Sequence, residues 1–191
     1  MEGKKNNLCY TSTDVTMTTD VSEYIRNYRD TDHFLSFCKQ CGNYGKRWGC
    51  PPLEEEELKS IEAFRYVLLV GTRIIPEDKN LPLSEVETLM KPEIIRLNRK
   101  LLQKEAECGG KSFGFGGNCL YCGKTPCARI EGKPCRHSDK CRSSLEAFGF
   151  DLSKTAKNIL GLDILWSKEG KIPEYLTLVS GLFHNKEELI W

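Results

Sequence analysis

The chain carries almost no net charge: 28 lysines and arginines stand against 27 aspartates and glutamates, a formal +1 over 191 residues. No overall field draws it to nucleic acid or to an anionic membrane, and a polyanionic partner is disfavoured. Long apolar runs are missing as well. No stretch approaches the ~18 residues that a membrane span requires, and Met1 to Asn7 is polar, without the apolar core of a secretory signal. These absences lead us to expect a soluble, cytoplasmic protein with no membrane and no nucleic-acid partner. Histidine is scarce too, with only His33, His137 and His184 in the chain.

Cysteine, in contrast, is abundant. Ten cysteines in a chain with no secretory signal cannot be read as a disulfide scaffold, because cytosolic reductants keep thiols reduced; they read as metal ligands or catalytic thiols. The length suits one large domain or one core with a metal-bearing part, and we take residues 1–191 as a single metal-binding domain. Its cysteines fall mainly in two loops, about 38–52 and 112–142.

The first loop reads Cys38-x2-Cys41-x8-Cys50-Pro51-Pro52. A CxxC turn places two sulfurs within reach of one metal, and Cys followed by Pro recurs at iron-sulfur sites. Zinc also uses CxxC, so a structural zinc knuckle stays open. The second loop reads Cys119-x2-Cys122-x4-Cys127-x7-Cys135, with Cys141 six residues on and the glycine-rich run 113–117 before it. Four or five thiols within 23 residues are too dense for chance burial. Glycines there let backbone N–H groups approach the sulfides of a cluster. His137, in Cys135-Arg136-His137, is a possible ligand or a donor behind one, and Cys141 a possible ligand. His33 and His184 read as surface or packing residues. Arg129, Arg136 and Arg142 flank the second loop, where they would neutralise cluster charge or hold an anion; Tyr44 and Trp48 would shield a cluster from water.

Hydrophobic periodicity places these loops between ordered elements. Residues 9–21 read as a strand, 20–37 as a helix, 54–63 as a helix opened by an acidic run, and 64–75 as a central strand. Residues 84–107 form a long helix with Pro92 near its start and Ile94, Ile95, Leu97, Leu101, Leu102 and Ala106 on its apolar face, ended by Gly109-Gly110. Ser143 to Glu146 has the pattern of a capping box for a short helix stopped by Gly149, and 153–160 is another short helix. Residues 162–166 and 175–179 read as strands joined by a hairpin-like turn. The fold class is α+β: a mixed sheet with helices packed on it and two cysteine-rich metal-binding loops.

The order Cys-x2-Cys-x-Asn43-Tyr44-Gly45-x2-Trp48-x-Cys50-Pro51-Pro52, then Gly117-x-Cys119-x2-Cys122, Cys135-Arg136-His137 and Ser144-Leu145-Glu146-Ala147-x-Gly149-x-Asp151, resembles the prokaryotic predicted metal-binding proteins classed as a domain of unknown function. The likeness covers about residues 35–183 and implies metal binding without supplying a reaction. It assigns Cys38, Cys41, Cys50, Cys119, Cys122, Cys127 and Cys135 to the family pattern; Cys9, Cys108 and Cys141 fall outside it. Ser138 and Ser143 stand where the family usually has proline.

Together these readings point to one or two 4Fe-4S clusters serving electron transfer or a redox partner protein, with Cys119, Cys122, Cys127 and Cys135 holding one. The first loop supplies three thiolates, so its centre borrows a fourth ligand or leaves a position open. The alternative cofactor is zinc, in a structural or protein-interaction module without redox activity.

Overall fold

The computed structural model describes residues 8–117 and 119–191; the polar segment 1–7 and residue 118 lie outside them. β1 (Tyr10–Asp20) runs straight into α1 (Val21–Tyr28), and α2 (Thr31–Gln40) follows. The single helix expected over 20–37 is therefore two. Asp20 caps the first, accepting from the N–H groups of Ser22 and Glu23, and Asp30 caps the second, accepting from the N–H of His33 at 3.0 Å. Two acidic caps ten residues apart account for the break.

The sheet forms around the apolar run at 64–75. β2 (Tyr66–Pro76) pairs antiparallel with β1, Tyr10 opposite Pro76 and Asp20 opposite Tyr66, and on its other edge with β4 (Leu176–His184). β3 (Lys111–Phe113) adds to β4, giving the order β1-β2-β4-β3. These ladders are all antiparallel, where a mixed sheet was expected; the parallel pairing among the described residues is the isolated bridge of Gly114 with Ser144. Residues 162–166 form no strand. They lie across the sheet instead, with Leu162 filling the core above Gly71.

Period-two alternation sends side chains of each central strand into two separate cores. Val67, Leu69, Val179 and Phe183 meet Tyr24 of α1, Leu145, Phe148, Phe150 and, from α5 (Leu152–Asn158), Ala156. Leu68, Val70, Leu178 and Leu182 meet Leu89, Leu97 and Leu101 of α4 (Val86–Cys108). Burial on both faces is why β2 reads as a continuous apolar run. Each fully buried leucine contributes about 1.5–3 kcal/mol, and both cores are built mainly from residues outside the two cysteine loops.

α4 starts at Val86, so Pro92 lies inside it and not at its start. Its buried residues are Leu89, Glu93, Leu97 and Leu101, while Ile95, expected on the apolar face, is 51% exposed. Gly109 ends the helix in the left-handed region at φ 66°, as a glycine after a helix commonly does. The expected helix at 54–63 is α3 (Glu55–Lys59) followed by a 3-10 turn, Ser60–Ala63. No helix among the described residues is long and apolar enough to cross a membrane.

Candidate metal centre

The first cysteine loop grows out of α2. Cys38 lies in its last turn and Cys41 is its C-cap, the Cys41 N–H donating to the Cys38 carbonyl at 3.0 Å. The chain then curls back: Tyr44 N–H donates to Cys41 O, Gly45 N–H to Pro51 O at 2.8 Å, and Cys50 N–H to Arg47 O at 3.1 Å. These bonds return Cys50 to the neighbourhood of Cys38 and Cys41, and the three thiols interact electrostatically. Burial, then the carboxylate of Glu146 and the nearby Cys41, push the Cys38 thiol up. Burial and Cys41 do the same to Cys50, with Arg47 and Arg129 opposing.

The second loop wraps around a cavity of about 20 Å³ whose walls include Cys119, Cys122, Cys127, Cys135, His137 and Cys141, with Arg47 and Trp48 entering from the first loop. The Cys119 sulfur accepts from the backbone N–H groups of Tyr121 and Cys122, and the Cys135 sulfur accepts from the His137 N–H at 3.4 Å. Such N–H···S bonds favour thiolate over thiol. Cys141 donates to Cys119, which holds the Cys119 thiol below its usual range and the Cys141 thiol far above it. A turn closed by Cys141 N–H on His137 O, 2.7 Å, sets Cys141 there.

The two loops are stitched to each other. Arg129 donates to three carbonyls of the first loop, Arg47 at 2.8 Å, Cys50 at 2.5 Å and Pro52 at 2.6 Å, and its guanidinium lies 5.1 Å from the Trp48 ring centroid. Trp48 Nε1 donates to Lys133 O at 3.0 Å, and Asn43 Nδ2 to Gly117 O at 3.4 Å. Cys50, Cys119 and Cys141 share a second cavity, about 50 Å³, floored by Gly49 and the glycines of 114–117. A Cβ on Gly49 would stand 3.6 Å from Cys141 Sγ and 3.1 Å from Arg142 O, so a side chain there would push the loops apart.

The arginines expected to face an anion are used as cross-links. Arg136 donates to Pro126 O at 2.8 Å, and Arg142 grips Glu105 of α4 with both Nε and Nη2. Glu105 also accepts from the Ser112 N–H at 2.7 Å, so one carboxylate ties α4, β3 and the exit of the second loop. Burial acts to raise the Glu105 carboxyl, but the bonds from Arg142 and Ser112 outweigh it and hold it below the usual range.

All seven cysteines of the expected ligand pattern therefore lie in two adjoining groups, three in the first loop and four in the second. No disulfide joins any of the ten. Cys108 ends α4 against the core, its sulfur 3.9 Å from Glu105 O, and Cys9 precedes β1 beside Glu77. Cys141, outside the family pattern, joins the second group, and the clue to it was its spacing of six from Cys135. Glu146, whose motif reads as a cap, makes no cap on the short 3-10 helix Glu146–Phe148, and its charge contributes to raising the Cys38 thiol. Among the described residues no three His, Cys, Asp or Glu side chains stand in ligating geometry around one point. The donor chemistry nonetheless fits a thiophilic metal: clustered sulfurs with N–H groups aimed at them.

The α+β fold carries two interlocked, thiol-lined loops. The chain belongs to the family described as predicted metal-binding protein (DUF2284), whose model matches residues 25–183. No curated protein and no solved structure matched it in the corresponding searches.

Proposed function

We propose that this protein is an iron-sulfur protein of a reducing compartment, carrying two four-iron centres and passing electrons to or from a redox partner protein. Cys119, Cys122, Cys127 and Cys135 hold one centre, with Cys141 against it; Cys38, Cys41 and Cys50 hold the other. The observation that carries this reading is the single cavity faced by five thiols, one more than four-coordinate zinc uses. The backbone N–H groups directed at the Cys119 and Cys135 sulfurs support it, since such bonds tune cluster potential. When bound, a four-iron cluster supplies one-electron transfer.

The chain's own residues then have distinct tasks. The thiols bind, Arg129 and Trp48 hold the loops together, and Trp48 limits access of water to the second group. Cys50, Cys119 and Cys141 share a cavity, so the two centres adjoin and exchange electrons over a short path. Iron and acid-labile sulfide counted in protein prepared without oxygen test the proposal. Iron and sulfide in equal amounts are expected; stoichiometric zinc without sulfide, after growth with ample iron, would establish the zinc-stapled module instead.

A further inference from the structure

α4 carries a second apolar stripe that the core does not use. Ile95, Asn98, Arg99 and Leu102 follow one another at i, i+3, i+4 and i+7, which places them on one face of the helix, away from the Leu97 and Leu101 face that meets the sheet. Ile95 is half exposed there. With Leu120 and Tyr121 of the second loop, this face lines a cleft of about 250 Å³. Sites for drug-sized ligands run to about 300–1,000 Å³, so the cleft suits a small molecule.

Its walls are apolar at Ile95, Leu102, Leu120 and Tyr121, and its polar groups are Asn98, Arg99 and Lys140. Among the described residues no aspartate or glutamate lines it. Arg99 makes no ion pair and no hydrogen bond among the described residues. The nearest acid to Lys140 is Asp139 at 3.9 Å, with both side chains more than half exposed, a pairing that leaves the ammonium nearly uncompensated. The Asn98 amide is without a hydrogen-bond partner among the described residues as well, and a Cβ on Gly114 would stand 3.0 Å from its Oδ1. Asn98, Leu120, Tyr121 and Lys140 also border the cavity shared by Cys50, Cys119 and Cys141, so the inner end of the cleft adjoins the thiol loops.

Two uncompensated cations beside apolar walls complement an anion with an apolar body. We infer that this cleft binds a small organic carboxylate, its carboxylate held by Arg99 and Lys140 and its body lying along Ile95, Leu102, Leu120 and Tyr121. A guanidinium offers two parallel N–H groups that match the two oxygens of a carboxylate, and the Tyr121 ring offers a face or edge to an aromatic body. The Asn98 amide, with both donor and acceptor atoms, serves a polar substituent at the inner end. The site is made of side chains that hold no metal, so it takes the same ligand whichever metal the loops carry.

Calorimetric titration of full-length protein prepared without oxygen, with benzoate, 2-naphthoate and the uncharged 2-naphthalenemethanol as probes, tests the assignment. At least one of the two acids is expected to bind with a Kd below about 1 mM, and 2-naphthalenemethanol about tenfold more weakly than 2-naphthoate. Arg99→Gln should weaken the bound acid about tenfold and leave the alcohol unchanged. Ile95→Asp should abolish binding of all three, and Lys91→Gln, on α4 but outside the cleft, should change none. Failure of both acids to bind overturns the site. Equal affinity for 2-naphthoate and its alcohol, an Arg99→Gln protein that binds the acid like wild type, or a loss in Lys91→Gln as large as in Arg99→Gln overturns the carboxylate assignment. Should Ile95→Asp unsettle α4, as circular dichroism would report, the comparison of Arg99→Gln with Lys91→Gln decides, since both residues are exposed. Zinc found in place of iron in the same samples would contradict the iron-sulfur reading and leave these affinities as stated.

Discussion

Arg129→Ala should open the two cysteine loops without touching the core. Arg129 gives three N–H bonds to carbonyls of Arg47, Cys50 and Pro52 and stacks on Trp48. A hydrogen bond from a charged donor contributes about 1.5–3 kcal/mol when enclosed. The guanidinium is half-buried, so we take about 1 kcal/mol for each bond, or about 3 kcal/mol for the junction. That corresponds to roughly a 100-fold increase in loop opening. Amide hydrogen exchange reads it directly at Gly45 and Cys50, whose N–H groups close the first loop on Pro51 O and Arg47 O. Both should exchange about 100-fold faster in the variant, while Leu69 in β2 keeps its rate. Arg129→Lys should recover only about a third, since one ammonium cannot fork across three acceptors. Unchanged exchange at Gly45 and Cys50, or equal loss of protection at Leu69, would refute the division between stitched loops and independent core.

Removing metal with a chelator should likewise expose the amides of residues 41–50 and 119–141 while those of Leu69 and Leu97 stay protected, as mass-resolved exchange will show. Asp14 accepts from both Nη atoms of Arg96, from Thr72 and from Trp191; against the opposing effect of burial, these bonds hold its carboxyl at about 2, below the ordinary 3.8. Because the folded value is depressed, the stabilisation is complete above about pH 4 and is lost as pH falls through 2. Discounted for partial exposure it is about 1–2 kcal/mol, so urea midpoints of wild type and Asp14→Asn should differ at pH 7 and converge toward pH 2. Gly149→Ala should destabilise by more than ~2 kcal/mol in thermal unfolding, because φ is 86° there and a Cβ would stand 2.6 Å from Thr31 Cα. Cys9→Ser and Cys108→Ser should leave metal content unchanged.

β1, β2 and β4 and the clustered thiols were legible because each follows a local rule. β2 announces itself through a run of β-branched and aromatic residues, and the seven loop cysteines through their spacing. The break between α1 and α2 was hidden by an apolar spacing that continues past it, although Asp30 is an evident cap in retrospect. Residues 162–166 have the composition of a strand, but Leu160 and Leu162 are needed over Gly71, where β2 has no side chain of its own. β3 was hidden in the glycine-rich run because three residues carry no period. The contacts that stitch the cysteines were beyond reach for a different reason: Arg129 with Cys50 joins the two loops across 79 positions, and Cys141 with Cys119 closes the second loop on itself, and neither pairing follows a local pattern. Pro92 misled because it is common at helix starts, yet a helix of 23 residues accommodates it inside.

The central claim is that two adjoining thiol loops each hold an iron-sulfur centre. Iron and acid-labile sulfide per chain, measured without oxygen in wild type, Cys41→Ser and Cys122→Ser, test it most directly. The account predicts that each variant loses the iron and sulfide of one centre and keeps those of the other. Loss of all iron from either single substitution would mean one shared site, and zinc without sulfide in all three proteins would contradict the iron-sulfur reading itself.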